Sequence, residues 1–453
     1  MTRTARLGEL LAKKARGIVP GNRPDSVFEL YSVPSFEARM PEIVNGCQIG
    51  SNKQIVVPGT VLLCKINPRI NRSWVVGSFS QNEKIASTEW ITFPPHNDVE
   101  PKYLSNFLSQ EFIRQFLAAN ASGVGGSLTR VKASTVEDIE VTLPPVEEQR
   151  RIVAEIEKQF SRLDEAIAGL QRAKANLKRY KAAVLKAAVE GRLVPREADL
   201  ARREGRSYET GSQLLQRILE TRRRQWQGKG KYKEPAAPDT TDLPELPEGW
   251  VWAVAEQLSE FITKGTTPSA EKLTDGSGEI QFLKVYNLTF DGVLNHQHKP
   301  AFVSRETHHT ELSRSKVAAG DVLINIVGPP LGQVSVVPES LSEANINQAI
   351  ARFRPVAPLD SSFLAMLLMS EDVMRWATSR AKTTAGQANL TLELCRLLPL
   401  PLPPLAEQHR IVAEVDRLLS IAREVEAEVD ANLKRAQGLR QAILAKAFSE
   451  RVN

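Results

Sequence analysis

A stretch of fourteen residues occurs twice in this chain, and the rest of the sequence is arranged around it. LPPVEEQRRIVAEI, from Leu143 to Ile156, returns as LPPLAEQHRIVAEV, from Leu402 to Val415. The Pro-Pro, Glu-Gln and Arg-Ile-Val-Ala-Glu positions are kept. A match of that length between distant stretches marks a tandem of two similar units, each closed by the repeated segment.

Each copy reads as the start of a long helix. Proline is tolerated in the first helical turn, where its missing N–H would have no partner, and the acids that follow sit at the positive end of the helix dipole. In the first copy, Ile152, Ile156, Gln159, Leu163, Ala166, Leu170, Ala173, Leu177, Tyr180 and Val184 then recur in steps of three and four. The second copy repeats the seam with Ile411, Val415, Leu418, Ala422, Val425, Val429, Asn432, Ala436, Leu439 and Ile443. Such spacing predicts a coiled-coil seam, and the polar Gln159 and Asn432 within it suit a fixed register. The shared phase predicts that the two helices pack on each other; two separate amphipathic surface helices are the alternative.

The stretches before the helices also correspond. In the first, Phe28–Phe36 predicts a strand entering a turn, Ile55–Lys65 two short strands about a Pro-Gly turn, and Glu89–Phe93 another strand. A helix from about Lys102 to Ala119 and a glycine-rich turn at Gly123–Arg130 complete it. In the second, Ala319–Asn325 matches Pro58–Cys64, Ile350–Pro355 matches Trp90–Pro95, and Ser362, Glu371 and Trp376 match Lys102, Glu111 and Phe116. Gly386–Thr391 matches the Gly-Gly-Ser-Leu-Thr turn, setting Asn389 opposite Ser127. A shared frame with divergent polar loops is the layout of one scaffold carrying two recognition surfaces. Residues 191–243 are rich in glycine, proline and basic side chains, with a short helix at Ser212–Arg224, and read as a solvated spacer with little core of its own.

Charge adds a restriction. The formal net charge is +6, yet Gln171–Lys233 alone holds 18 lysines and arginines against 6 acids, so the remainder is slightly acidic. Bulk charge therefore does not make the globular units nucleic-acid binders. Cys47, Cys64 and Cys395 have no paired spacing, which argues against a disulfide framework or zinc site and fits a reducing compartment. No apolar run approaches the ~18 residues of a membrane span, so a soluble, cytoplasmic protein with no membrane partner is expected.

Catalytic signatures are missing. The sequence has no phosphate-binding Gly-x-x-x-x-Gly-Lys-Ser/Thr, no Gly-x-Ser-x-Gly elbow, no His-Glu-x-x-His and no methyltransferase motif. Pro24-Asp25 and Pro238-Asp239 lack a following Glu-x-Lys, which leaves a nuclease centre unsupported. His296, His298, His308 and His309 have no acid or cysteine at ligand spacing and read as polar surface, so no metal site is expected.

The doubled Leu-Pro-Pro-x-x-Glu-Gln-x-x-Ile-Val, together with Leu246-Pro-Glu-Gly-Trp250, Gly265-Thr-Thr-Pro-Ser269 and Gly191-Arg-Leu-Val-Pro195, resembles the specificity (S) subunit of type I restriction–modification systems over essentially the whole chain. The first unit departs from the pattern in lacking the Pro-Glu-Gly-Trp opening and using Phe28–Pro34 instead. The resemblance implies an α+β chain in which two similar globular α/β target recognition domains alternate with two long helices paired as an antiparallel coiled coil. The segments would be 1–142 and 244–401 for the recognition domains, 143–190 and 402–453 for the helical spacers, and 191–243 for a basic linker. It also implies a non-catalytic subunit, each domain reading one half of a bipartite, asymmetric DNA target. Its partners would be double-stranded DNA, two methyltransferase subunits and restriction subunits. The chain would carry no cofactor, with S-adenosylmethionine, ATP and Mg on those partners. A helix of about 45 residues rises ~68 Å at ~1.5 Å per residue, against ~34 Å for a DNA turn.

Arginine and lysine suit guanine, asparagine and glutamine suit adenine, and phosphate contacts set position. The candidate DNA-binding residues are Lys53, Lys65, Asn67, Arg69, Asn71, Arg72 and Arg130 in the first unit. In the second they are Lys264, Thr266, Thr267, Lys284, Asn287, Asn325, Gln387 and Asn389. A solvated or turn-forming role is the alternative at each, and at Ser127 and Asn389 the turn shared by both units suggests structure more than sequence reading. Two rival readings of the whole are a coiled-coil scaffold binding protein or other ligands, and a restriction enzyme with specificity and catalysis fused.

Overall fold

The computed structural model describes residues 2–12, 16–123, 129–227, 230–341, 343–384 and 387–449, with the backbone alone for 382–384 and 387. The chain divides into two compact units, residues 1–172 with 429–453, and residues 173–428.

In the first unit Arg3–Arg6 runs antiparallel to Glu140–Leu143, the strand that leads into the repeated segment, with Thr4 opposite Thr142. This unit therefore opens at Thr2–Arg6. The Phe28–Pro34 stretch, expected to be the opening, is an inner strand, Val27–Tyr31, of a five-stranded sheet. The order of that sheet is Gly17–Ile18, Lys53–Ile55, Glu83–Ser87, Val27–Tyr31, Glu42–Asn45. A second, antiparallel sheet has Val61–Cys64 between Ser73–Val75 and Trp90–Phe93. The Pro58-Gly59 turn, with Gly59 at φ +85°, thus joins strands of two different sheets.

The strand Val61–Cys64 shows why its sequence is apolar without alternation. Successive side chains leave opposite faces of a strand. Val61 and Leu63 enter a core with Leu104, Leu108, Ile113 and Leu117, while Leu62 and Cys64 enter another with Tyr31, Trp74 and Trp90. Both faces are covered, so every position is apolar. The helix expected over Lys102–Ala119 is two helices, Pro101–Leu108 and Glu111–Ala119, because Gln110 is extended (φ −68°, ψ 153°) and buried.

The second unit repeats this plan. Val251–Val254 pairs with Pro399–Leu402, Trp252 lying opposite Pro401. Val322–Asn325 lies between Val334–Val336 and Ile350–Pro355, and Ser259–Lys264 extends the sheet to four strands. The other sheet runs Thr274–Asp275, Ala301–Val303, Ile280–Leu283, Ala344–Ile346, Lys316–Val317. Four of its strands, Ala301–Val303, Ile280–Leu283, Ala344–Ile346 and Lys316–Val317, correspond to Glu42–Asn45, Val27–Tyr31, Glu83–Ser87 and Lys53–Ile55 of the first unit. The fifth strand is added at the opposite edge. Residues 191–243, expected to have little core, contribute the helix Gly211–Arg224, whose Leu214 and Ile218 are fully buried.

The repeated segment forms a strand-to-helix corner. In the first unit the helix Val146–Val189 begins after Pro145, and the fully buried Gln149 amide bridges the turn. Its Nε2 donates to Pro144 O (2.7 Å) and Asp98 O (2.8 Å), and its Oε1 accepts from Glu100 N (2.8 Å). In the second unit Gln408 donates to Pro403 O (2.9 Å) at the head of the helix Leu405–Ser449. Glu407 does more than complement a helix dipole. It is buried, accepting from Trp250 Nε1 (3.1 Å) and Glu197 N (2.9 Å), and burial pushes its pKa up.

Within each unit the two long helices lie antiparallel. In the first, Ile152 and Ile156 share a core with Leu444, and Asp164 pairs with Arg440 at 2.6 Å. In the second, Val184 and Val189 share a core with Ile411, Val415 and Leu419, and Lys181 pairs with Glu426 at 2.5 Å. The seam departs from the expected one. Leu419 and Leu444 are buried in place of Leu418 and Ile443, and Tyr180, Val425 and Leu439 are 43–51% exposed. A straight helix drifts from a seven-residue repeat by ~20° per heptad, and the helix ends follow the globular cores instead.

Candidate nucleic-acid interface

Both units gather loops at the same end of the antiparallel sheet, where Cys64 faces Trp90 and Asn325 faces Ile350. In the first unit, Val131 N donates to Lys65 O (3.0 Å) and Asn67 N to Thr129 O (2.9 Å). In the second, Leu390 N donates to Ile326 O (2.9 Å) and Gly328 N to Ala388 O (3.3 Å). The two ladders superpose rung for rung, so Arg130 occupies the place of Asn389, each bridging the residue before the loop turns, Ile66 or Val327. The sequence match had set Ser127 there; Ser127 lies outside the described residues.

The loop after Val61–Cys64 is a tight turn, Pro68–Ile70, held between Asn67 and Asn71, both left-handed (φ 48° and 49°). Asparagine tolerates that region because its short side chain bonds locally. Asn71 Nδ2 donates to Leu108 O (2.9 Å), so both asparagines shape the loop, and the exposed Arg69 stands at its tip. Arg130 is 61% exposed and paired with Glu89 at 3.0 Å. Lys65 donates to Thr88 O (2.7 Å), and Arg72 turns towards Glu37 (3.3 Å). Lys53 stands apart. It is buried in the five-stranded sheet with its ammonium on Ser51 O (3.0 Å) and Oγ (2.6 Å), and burial lowers its pKa.

In the second unit Lys264, Thr266 and Thr267 are exposed beside the same sheet end. Gly265 makes this possible, since a Cβ there would stand 2.0 Å from Ile346 O. Lys284 is half-buried, its ammonium 5.9 Å from the Tyr286 ring centre. Two asparagine candidates are internal. Asn287 is buried and donates to Asn295 O (3.0 Å) and His298 O (2.8 Å); Asn325 is buried and donates to Pro330 O (2.6 Å) and Gln333 Oε1 (3.1 Å). Asn389 is half-buried with its Oδ1 unpartnered among the described residues. The backbone of Gln387 lies in the Lys382–Thr384 and Gln387–Asn389 hairpin. Sequence reasoning missed the exposed aromatics Tyr286, Phe290 and Phe79. For Phe79 the signal is an aromatic isolated in the polar stretch Gly77–Lys84, whereas Tyr286 and Phe290, set among Val285 and Leu288, carry none.

The histidines are not a uniform polar surface. His308 is buried, with Nδ1 2.7 Å from Asn345 Oδ1, and its ring lies 4.8 Å from that of His309. Glu343 completes a cluster of potential ligands. Arg305 holds one oxygen of the Glu343 carboxylate (3.0 Å) and Lys316 meets His309 Nδ1 (2.9 Å), so two cations already bond to members of this cluster.

A family model for the type I restriction modification DNA specificity domain matches residues 34–177 and again 247–435. The chain belongs to this family. Its two matches cover the two loop clusters just described. The specificity subunit of the type I restriction enzyme EcoBI of Escherichia coli is 28% identical over 359 residues, 77% of this chain and 66% of that subunit. That of StySPI of Salmonella potsdam is 23% identical over 360 residues, 78% of this chain and 66% of that subunit. The chain thus matches just under two thirds of the length of these relatives. A chain solved in work on complex assembly and conformational transition of the type I R-M system has a TM-score of 0.72 at 20% identity, covering 99% of this chain and 97% of its own. The crystal structure of the HsdS subunit from Thermoanaerobacter tengcongensis gives 0.54 at 22%, covering 99% and 96%. Both share the fold of this chain. The rival scaffold reading is not favoured by these matches. Among the described residues no helix is long and apolar enough to cross a membrane.

Proposed function

We propose that this chain is the non-catalytic DNA-recognition component of a type I restriction–modification assembly. Residues 1–142 and 244–401 each read one half of a bipartite, asymmetric target. The observation that carries this reading is the shared backbone ladder with unlike side chains on it: Arg130 beside an Asn-Pro-Arg loop in one unit, Asn389 beside a Val-Gly-Pro-Pro loop in the other. A common frame with different polar groups is what two half-sites of different sequence require. Of the candidates, Arg69, Arg130, Lys264, Thr266, Thr267 and Lys284 would meet DNA, with Lys65, Arg72, Gln387 and Asn389 at the loop margins. Lys53, Asn67, Asn71, Asn287 and Asn325 hold the loops in shape.

The long helices, 143–190 and 402–453, set the unread gap and dock two methyltransferase subunits, with restriction subunits joining the complex. S-adenosylmethionine, ATP and Mg belong to those partners, and the working compartment is the cytoplasm. The test is co-purification with a methyltransferase subunit and mapping of methylated adenines on random DNA. A split motif with an unread gap is expected, and exchange of residues 1–142 for those of a relative should alter one half-site only. Alteration of both halves, or an unsplit motif, would overturn the reading.

A further inference from the structure

Two basic residues absent from the candidate set hold the same unusual backbone at the same place in both units. Among the described residues four non-glycine residues have a positive φ. Two are the asparagines Asn67 and Asn71; the others are Arg39 (φ 53°) and Lys299 (φ 46°). Each lies on the connection that leaves one strand of the five-stranded sheet and returns as its neighbour. In the first unit this is residues 32–41, between Val27–Tyr31 and Glu42–Asn45; in the second it is residues 284–300, between Ile280–Leu283 and Ala301–Val303. Both connections carry an aromatic ring in an early tight turn, Pro34–Phe36 or Val285–Asn287, and both end in a proline, Pro41 or Pro300. That ring holds the basic residue in each unit. The Arg39 guanidinium lies 3.9 Å from the Phe36 ring centre and donates to Ser73 O (3.2 Å), and the Tyr286 hydroxyl donates to Lys299 O (3.0 Å). Both residues are exposed, and neither has an ion pair among the described residues. Glu37, which acts on Arg39, is bonded to Arg72 (3.3 Å).

Both stand at the sheet end that carries the candidate loops: Arg39 bonds the residue after Arg72, and Lys299 is tied through Tyr286 to the segment of Lys284. A left-handed conformation is costly for arginine or lysine, which lack the short side chain that lets asparagine bond locally. At Lys299 the following proline restricts the backbone further. Strain of this kind is kept where it places a side chain for a ligand. The kind of ligand follows from comparing the units. Positions that read bases should differ between half-sites, as Arg130 and Asn389 do, whereas here a positive charge stands in both. Arginine and lysine share charge and not hydrogen-bonding geometry, so their common target is a charge. The part of a duplex that is the same at every half-site is its phosphate backbone. We propose that Arg39 and Lys299 are equivalent phosphate contacts, each fixing one recognition domain on duplex DNA without reading its sequence. The proposal rests on the reading of both units as DNA-binding.

The experiment titrates the full chain, parent and variants, with a labelled random-sequence duplex over a range of salt, and maps the methylated motif of each assembly. Arg39→Asn and Lys299→Asn are the informative changes, because asparagine accepts the left-handed backbone, as Asn67 and Asn71 do, and only the cation is lost. Each should unfold at or above the temperature of the parent and bind DNA about tenfold more weakly. Each should also flatten the dependence of log affinity on log salt by about 0.9, the share of one phosphate, with the methylated motif unchanged. Arg39→Lys and Lys299→Arg should keep the parent slope. An unchanged slope in either asparagine variant would overturn the proposal, as would a flattened slope in the charge-keeping variants. A changed base in the motif would overturn it by making these residues base readers, and lowered thermal stability with unaltered binding would assign them to the turn alone. If the parent chain itself binds the duplex without salt dependence, the reading of the units as DNA-binding fails, and this proposal with it.

Discussion

Thr60 in the first unit and Asp321 in the second cap the same turn. Val57 N donates to the Thr60 hydroxyl (3.3 Å), and Ala318 N to the Asp321 carboxylate (2.8 Å). The hydroxyl needs nothing more. The carboxylate is 1% exposed and a buried charge must be paired. It takes Nε (2.7 Å) and Nη2 (2.8 Å) of Arg354, with Arg352 at 3.9 Å, and both guanidiniums stack on Phe261. Burial lowers the Arg352 pKa to about 10, whereas the Asp321 hydrogen bond raises that of Arg354. In the first unit Thr92 and Pro94 stand at those positions. One frame thus tolerates a neutral or an ionic solution at the same turn, provided the neighbours change together.

The sharpest way to break this comparison is to exchange the cap alone. Asp321→Thr should keep the turn but strand two arginines, costing about 3 kcal/mol. Thr60→Asp, with no arginine opposite, should cost a similar amount. Denaturant unfolding measures both, and near-neutral values would show the turn to be indifferent to its neighbours.

A smaller contrast lies at the repeated corner. Gln149→Leu removes three hydrogen bonds to backbone groups, that of Pro144 buried and those of Asp98 and Glu100 partly so, and should cost about 2 kcal/mol, while Gln408→Leu removes one donated bond and should cost about 1 kcal/mol. Equal losses in unfolding experiments would mean that the corner, and not its partners, sets the energy.

The smallest effect concerns Glu407, where Trp250 and Glu197 close the second corner. Its folded pKa is raised by burial, so the folded state binds the proton more tightly than the unfolded chain. Its contribution therefore favours folding at acid pH and is lost as pH rises from the ordinary carboxylate range through the raised pKa. Glu197 works the other way. Burial alone would raise its pKa, but Arg206 and Arg410 hold it below the usual value. Its stabilisation is present above the ordinary range and fades as pH falls through the depressed pKa. Comparing Trp250→Phe with the parent between pH 4 and 7 should show a larger loss of stability on the alkaline side. A uniform loss across that range would remove Glu407 from the account.

Much of the frame was legible. The repeat located both strand-to-helix corners, and matching Pro58–Cys64 with Ala319–Asn325 located the central strand of each sheet. Where the reading failed, chemistry was judged by residue type alone. Lys53, Asn287 and Asn325 are suitable side chains for bases, yet each spends its donors on nearby oxygens of the chain itself. Phe28–Pro34 reads as an opening because the true one, Thr2–Arg6, pairs with Glu140–Leu143, a long-range partner that local pattern does not announce.

The sequence by itself determined the tandem of two units, the two long helices and the family, because periodicity and repeated motifs are local and survive without knowledge of contacts. Tertiary structure decided which polar groups are free. It put Arg130 at the position equivalent to Asn389 and turned Asn67 and Asn71 into loop supports. The reason is that exposure and hydrogen-bond partnership belong to pairs of segments brought together by folding, and no single segment carries them.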